Sequence, residues 1–350
     1  MGAASPVRVL HVIESYGSGS LTAAVQYVHS TPDLEHHLLR RIRADYVPFG
    51  EETLFATVAE LPGSGLRSIG TVRRTVRRLS PDVVHAHSSF AGLYARLALR
   101  AGRSARVVYT PHCFVFERTD IPRPLRGLYR LVEWALAVNT TVIAGCSAAE
   151  ARAARAWRTC RRVVHVPNVA TVGMATTRPR DSGRPLVVAL GRISAQKGVD
   201  FFLSAWRELR QRGGDVGALW IGGGDAAGVA RLEASGVEVT GWVSRDRVLD
   251  LLASARLYLH TAAWEGFPMS VLEAHRSGLP ILVRDIPAFH HVPATVRAGD
   301  PGELASLAEQ ILLDPSCAAA DANRSVWEDA LSAHSPALQR ARLLEAYGVG

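Results

Sequence analysis

The sequence predicts an α/β protein of two domains, each built on a parallel sheet. Three observations point to this. The chain has 350 residues, more than a single core of roughly 250–300 residues fills. Short β-rich runs alternate with helical stretches along it, as parallel strands joined by crossover helices do. Residues 171–184, rich in Thr, Pro and Gly, interrupt the alternation near the middle and read as an interdomain linker. The expected division is an N-terminal domain over 1–170, the linker over 171–184 and a second domain over 185–330. Residues 331–350 are expected to form a helix that packs back on the first domain.

Each element has its own signal. Val7–Ile13 is a β-rich run, followed by Gly17-Ser18-Gly19-Ser20 and a helical pattern over Leu21–Val28. That unit of strand, loop and helix recurs. Strands are expected at Asp82–His85, Arg106–Tyr109, Thr141–Ala144 and Arg162–Val166, with helices at Ala91–Leu99 and Ala148–Trp157. A second series starts at Pro185. It has strands in PLVVALG, ALWIGGG, VEVTGWV, LYLH and PILVRD, and helices at Val199–Arg210, Asp246–Ala253, Ser270–Ser277 and Gly302–Leu313. Pro336–Tyr347 is a last helix. In such sheets ligands bind beyond the carboxyl ends of the strands.

Composition narrows the function classes. Nearly half of the residues are apolar and about a fifth are charged, a globular balance. No apolar run reaches the ~18–20 residues that span a bilayer. Met1–Val12 has no basic start, long apolar stretch or cleavage site, so no signal peptide is expected. Cys113, Cys146, Cys160 and Cys317 lack metal-ligand spacing and are expected as reduced, mostly buried thiols of a cytoplasmic protein.

The net charge of +8 is unevenly placed: residues 1–180 carry +12 and the remainder −4. Arginines cluster at Arg73, Arg74, Arg77 and Arg78, at Arg96, Arg100, Arg103 and Arg106, and at Arg152, Arg155, Arg158, Arg161 and Arg162. Such a face suits anionic lipid or a phosphate-bearing acceptor, or is simply solvated. No aromatic-interleaved basic patch, helix-turn-helix or RNA-binding signature points to nucleic acid. Of the 40 basic residues only Lys197 is lysine. A compact ammonium kept amid arginines suggests that this position needs one.

Two segments carry the chemistry. Gly191-Arg192-Ile193-Ser194-Ala195-Gln196-Lys197-Gly198 follows a strand and puts two cations five residues apart on one loop, suited to the charge that develops on a departing diphosphate. Glu265-Gly266-Phe267-Pro268-Met269-Ser270-Val271-Leu272-Glu273-Ala274 follows another strand. Pro268 suits the first turn of a helix, whose N–H groups and dipole favour a diphosphate. Glu273 then lies within reach of ribose hydroxyls, and Glu265 where a sugar on the diphosphate would sit.

These segments resemble the family 4 glycosyltransferases of the two-Rossmann-domain GT-B fold. The resemblance extends to the loop after the first strand, DVVHAHS, Thr110-Pro111-His112, VPN, and GDPGELA. It implies two Rossmann-like domains facing across a mobile cleft and a monomer. The implied reaction uses a UDP- or GDP-linked sugar as donor, retains anomeric configuration and needs no essential cofactor or metal. Residue by residue, it implies that Arg192 and Lys197 bind the diphosphate and Glu273 the ribose. Glu265 would contact the transferred sugar beside Gly266 and the backbone of Phe267, Pro268 and Met269, and His112 would face that sugar from the N-terminal domain. Gly191 belongs to the diphosphate loop. Two departures stand out. Asp285-Ile286-Pro287-Ala288-Phe289-His290-His291 replaces the family's Gly-Gly turn and following Glu, which leaves the sugar open. Gly17-Ser18-Gly19 replaces paired glycines, although Gly19 still lets a phosphate approach the backbone.

Other residues are read more simply. His85 and His87, flanking Ala86, are expected on opposite faces, His85 buried and His87 near the cleft. His290 and His291 lack further ligands at metal spacing, so no metal is expected. Gly222-Gly223-Gly224-Asp225 resembles half a dinucleotide fingerprint, with Gly223 expected beside the base or ribose. Trp242 either walls the base pocket or packs in the core. A complete Gly-x-Gly-x-x-Gly with an acidic partner is missing from Val7–Leu21, against a nicotinamide-dependent oxidoreductase. The acceptor is expected to be a lipid-linked or cell-surface glycan intermediate handled at the inner membrane face, with peripheral contact to anionic lipid. Two alternatives stand beside it: a soluble small-molecule acceptor, and a non-catalytic protein that only binds nucleotide sugars.

Overall fold

The structure is a computed structural model that describes residues 5–17, 19–44, 46–63, 65–103, 105–157, 159, 161–170, 184–213, 215–314 and 316–349. The linker, apart from Arg184, lies outside them, as do Ser18, Arg158 and Cys160. The chain forms two compact units, residues 1–169 with 334–350, and residues 170–333.

The first unit contains β1 (Arg8–Tyr16), α1 (Gly19–Ser30), β2 (Glu35–Ile42), β3 (Thr57–Glu60), α2 (Gly65–Leu79), β4 (Val83–His87), α3 (Ser89–Ala98), β5 (Arg106–Thr110), α4 (Arg123–Ala137), β6 (Val142–Gly145), α5 (Ala148–Arg155) and β7 (Val163–His165). Its sheet runs β3-β2-β1-β4-β5-β6-β7, parallel at every pairing. The second contains β8 (Leu186–Leu190), α6 (Val199–Gln211), β9 (Gly217–Ile221), α7 (Ala226–Ala234), β10 (Glu238–Val239), α8 (Arg245–Ala253), β11 (Leu257–His260), α9 (Met269–Arg276), β12 (Ile281–Arg284), β13 (Arg297–Ala298), α10 (Pro301–Leu313) and α11 (Ala318–Leu331). Its sheet runs β10-β9-β8-β11-β12-β13, also wholly parallel. Both are Rossmann orders, which reverse direction between β1 and β4 and between β8 and β11, where such sheets bind ligands.

The central strands are apolar because helices cover both faces of a parallel sheet. Leu10, Val12, Val84, Ala86 and Val107 form one core with α2 and α3. Ile13, Leu21, Ala24 and Leu38 form another under α1. In the second unit the Phe202 and Trp220 rings meet edge to face at 5.3 Å. The helix starts are capped as their sequences suggest. Asp300 accepts from Gly302 N at 2.7 Å with Pro301 in the first turn, and Ser147, Asp225 and Ser335 cap α5, α7 and the last helix, α12 (Pro336–Tyr347).

α12 belongs to the first unit. Its buried Gln339 accepts from Ser30 Oγ at 2.6 Å and donates to the Pro167 carbonyl at 2.8 Å. Two expectations need correction, one of charge and one of cysteine burial. Arg96 is not on a basic face: it is fully buried, ion-paired with Glu133 at 2.9 Å and set over the Tyr109 ring. A guanidinium enclosed this way requires such a partner. Of the described cysteines Cys146 is buried, but Cys113 and Cys317 are partly exposed. No helix among the described residues is long and apolar enough to cross a membrane.

Candidate active site

In the second unit the loops after β8 and β11 leave the sheet on either side of its switch point and are tied together. The Ala263 amide donates to the Gln196 carbonyl at 2.8 Å, Gln196 Nε2 to the Trp264 carbonyl at 3.2 Å, and Thr261 Oγ1 to the Lys197 carbonyl at 2.9 Å. Gly198 allows this approach. It has φ +68°, and a Cβ there would lie 2.1 Å from the Thr261 carbonyl oxygen. The result is an ion pair between Lys197 Nζ and Glu265 Oε1, both largely buried.

Gly191, at φ +142°, is where the Lys197 stem lies: a Cβ there would be 2.9 Å from Lys197 Cε. Arg192 is partly buried beside Gly224. Gly266, Phe267, Pro268 and Met269 are buried and lead into α9, with Pro268 just before its first residue. Five residues into α9, Glu273 is 2% exposed and ion-paired with Arg245 of α8. The structure therefore brings Gly191, Lys197 and Glu265 together where the loops after β8 and β11 meet. Gly19 and His112 are in the other unit.

Sequence reasoning missed two partners here. Arg245 offered no motif, being one arginine of an ordinary helix start. His260, the last residue of β11, is fully enclosed with Nε2 3.8 Å from Glu265 Oε1 and Nδ1 3.1 Å from Tyr258 Oη. Burial and then the Lys197 charge hold its pKa well below the ordinary value, so His260 is a neutral neighbour of the pair.

The Gly222–Gly224 run has a packing cause of its own at 222 and 224. Cβ atoms at 222 and 224 would lie 2.4 and 2.3 Å from the carbonyls of Gly191 and Ile193. These glycines let one loop pack on another. A Cβ at Gly223 would lie 3.0 Å from the half-exposed Trp242 indole. In the divergent loop, Phe289 is fully buried against His260, Phe267 and Trp327, and Asp285 Oδ1 accepts from Arg297 at 2.5 Å.

In the first unit Gly19 is the first residue of α1, with open space around it. His112 lies beyond β5 with φ +52°, followed by Cys113 with φ +94°, strained values for residues bearing a side chain. Buried Glu150 holds this turn, accepting from the amides of both Cys113 and Cys146. Its Ser-x-x-Glu capping pattern with Ser147 was the available signal. His85 and His87 share a face, with ring centroids 4.2 Å apart, because side chains two apart on a strand point the same way. Both are fully buried. The nitrogens of His11, His85 and His87 cluster within 4.8 Å, a grouping that could hold an ion. All of them are engaged in hydrogen bonds to His36, His112, Tyr347, Thr110 or one another.

Residues 24–170 match the family described as Glycosyltransferase Family 4, and residues 184–314 the one described as Glycosyl transferases group 1. The chain belongs to the family 4 glycosyltransferases. This glycosyltransferase is 23% identical over 303 residues to an uncharacterized 41.2 kDa protein of the cps region of Klebsiella pneumoniae, covering 82% of this chain and 83% of that one. It is 22% identical over 275 residues to the Escherichia coli UDP-Gal:alpha-D-GlcNAc-diphosphoundecaprenol alpha-1,3-galactosyltransferase, covering 72% and 69%. A solved Anabaena protein in complex with UDP and glucose has the same fold, with a TM-score of 0.75, 17% identity and 96% and 99% coverage.

Proposed function

We propose that this glycosyltransferase moves a sugar from a UDP- or GDP-linked donor to a hydroxyl of a lipid-linked or cell-surface glycan intermediate, with retention at the anomeric carbon. The observation that carries the reading is the Lys197–Glu265 pair at the switch point of the second sheet. A diphosphate would draw the Lys197 ammonium from Glu265 and free that carboxylate for sugar hydroxyls, with Arg192 and the start of α9 completing the anion site. Glu273 would accept from the ribose, and His112 from a sugar hydroxyl.

Retention requires attack on the face that the diphosphate leaves. The acceptor oxygen bonds to the anomeric carbon as the bond to the diphosphate breaks through an oxocarbenium-like state. A diphosphate oxygen takes the acceptor's proton. The protein orients the reactants and stabilises charge.

The acceptor reading draws on the E. coli relative, whose name specifies a diphosphoundecaprenol-linked sugar, and on α4. Leu128, Leu131 and Trp134 of that helix, and Val138 just after it, are exposed, with Arg123 and Arg130 also exposed on it. Apolar side chains with arginines on one helix fit an anionic lipid surface. The test is thermal stabilisation by UDP- and GDP-sugars, then transfer to a polyprenyl-diphosphate sugar with NMR of the new linkage. Inversion would overturn the stereochemistry. Transfer to soluble acceptors without liposome binding would overturn the lipid assignment, and binding without transfer would leave a nucleotide-sugar-binding protein.

A further inference from the structure

We propose that a file of four histidines in the first unit, His36–His11–His87–His112, fixes the tautomer of His112 so that its Nδ1 is a bare hydrogen-bond acceptor for a substrate hydroxyl. The file runs across three strands and a loop. His36 Nδ1 lies 3.0 Å from His11 Nε2, His11 Nδ1 3.0 Å from His87 Nε2, and His87 Nδ1 3.0 Å from His112 Nε2.

A carbonyl oxygen sets its direction. His36 Nε2 lies 3.0 Å from the Thr31 carbonyl, which can only accept, so the proton of neutral His36 is on Nε2. The Thr31 hydroxyl, 3.2 Å away, spends its own proton on the Tyr27 carbonyl at 2.7 Å and so also accepts. His36 Nδ1 is then bare and takes a proton donated by His11 Nε2. His11 Nδ1 in turn accepts from His87 Nε2, and His87 Nδ1 from His112 Nε2. Each neutral imidazole has one donor and one acceptor, so every step is forced and His112 Nδ1 is left without a proton.

Burial keeps the rings neutral. It holds His11 and His87 well below the ordinary histidine range, lowers His36, and pushes His112 down to about 3. His112 thus accepts a hydrogen bond without removing the proton at neutral pH. His36, His11 and His87 are positioning residues that act through it. That the hydroxyl belongs to a sugar rests on the transferase reading; the tautomer does not.

The test is long-range nitrogen–proton NMR on the ¹⁵N-histidine-labelled full chain without substrate. All four rings should carry the proton on Nε2. A proton on His112 Nδ1, or a charged His112, overturns the proposal. His11→Leu should leave His87 without its acceptor, mix the His112 tautomers and cut turnover roughly tenfold, the scale of one lost hydrogen bond, with UDP binding unchanged. His11→Gln, which both donates and accepts, should restore both readouts. An unmixed His112 tautomer in folded His11→Leu overturns the relay; if that variant does not fold, the spectrum of the unsubstituted chain decides. The assigned tautomers without any transfer activity would sink the transferase reading and leave the relay standing.

Discussion

The ammonium of Lys197 is ion-paired with the carboxylate of Glu265, across a separation of 68 residues. The pair depends on two loops of one sheet meeting at its switch point. It also balances a largely buried cation, as burial requires.

Removing the ammonium should remove catalysis. Lys197→Ala is expected to lower turnover about 100-fold or more, the scale of losing one charge-stabilising donor. Lys197→Arg should not restore it, because the guanidinium is a planar fork and not a point charge. Steady-state kinetics on both variants check this, and wild-type turnover in either would contradict the role. Glu265→Ala should fall as far.

Glu273 should separate binding from chemistry. Glu273→Ala is expected to weaken UDP or GDP binding by roughly tenfold to 100-fold, the worth of hydrogen bonds to a charged group, with a smaller effect on turnover at saturating donor. Calorimetry measures the first. Arg245→Ala should instead destabilise the fold by about 3–5 kcal/mol, since it strands a carboxylate that is 2% exposed. Chemical denaturation would show this, and an unchanged midpoint would contradict it.

The close contact at Gly198 gives a third outcome. Gly198→Ala meets a φ of +68° and a carbonyl oxygen 2.1 Å from the new Cβ. The backbone alone costs about 1–2 kcal/mol, and the clash adds to it by prising the loops apart. Gly213→Ala is the control, with φ +87° and nothing within 4 Å. A similar loss of melting temperature in both variants would show that the loop contact contributes nothing.

Apart from β3 (TVAE) and the two-residue β13, which carry no apolar run, the strands of the second unit and most of the first were legible in the sequence. β2 was not, because it reads EHHLLRRI. Its His36 and Arg40 are buried by partners distant in sequence, His11 for one and Glu52 and Glu60 for the other. α4 was missed for the opposite reason: its apolar residues face outward. The site motifs were legible because their spacing is local. Arg245, His260 and the histidine file were not, since only the sheet order sets them beside their partners. The error over His85 and His87 was one of strand periodicity, which the sequence itself could have corrected.

The first unit should respond to acid through its histidines. Burial lowers the pKa of His11, His36, His85, His87 and His112. The unfolded chain takes up protons first, near pH 6.5, so stability present above that pH is lost as the pH falls below it. Glu117 acts with the opposite sign. Burial and then the Glu150 charge raise its pKa from 4.5 to about 7. Between those values the folded state holds a proton that the unfolded state has released, and stability falls as the pH rises. Burial also lowers His37 and His165 and raises Glu150, and seven rings against two carboxyls make the net trend acid destabilisation, so the melting temperature should drop from pH 7 to pH 5. Glu117→Gln mimics the protonated carboxyl at every pH. It should be more stable than the parent at pH 7.5 and above, and the advantage should fade by pH 5. Calorimetry of both proteins across that range checks the assignment, and a constant offset would show that Glu117 does not titrate there.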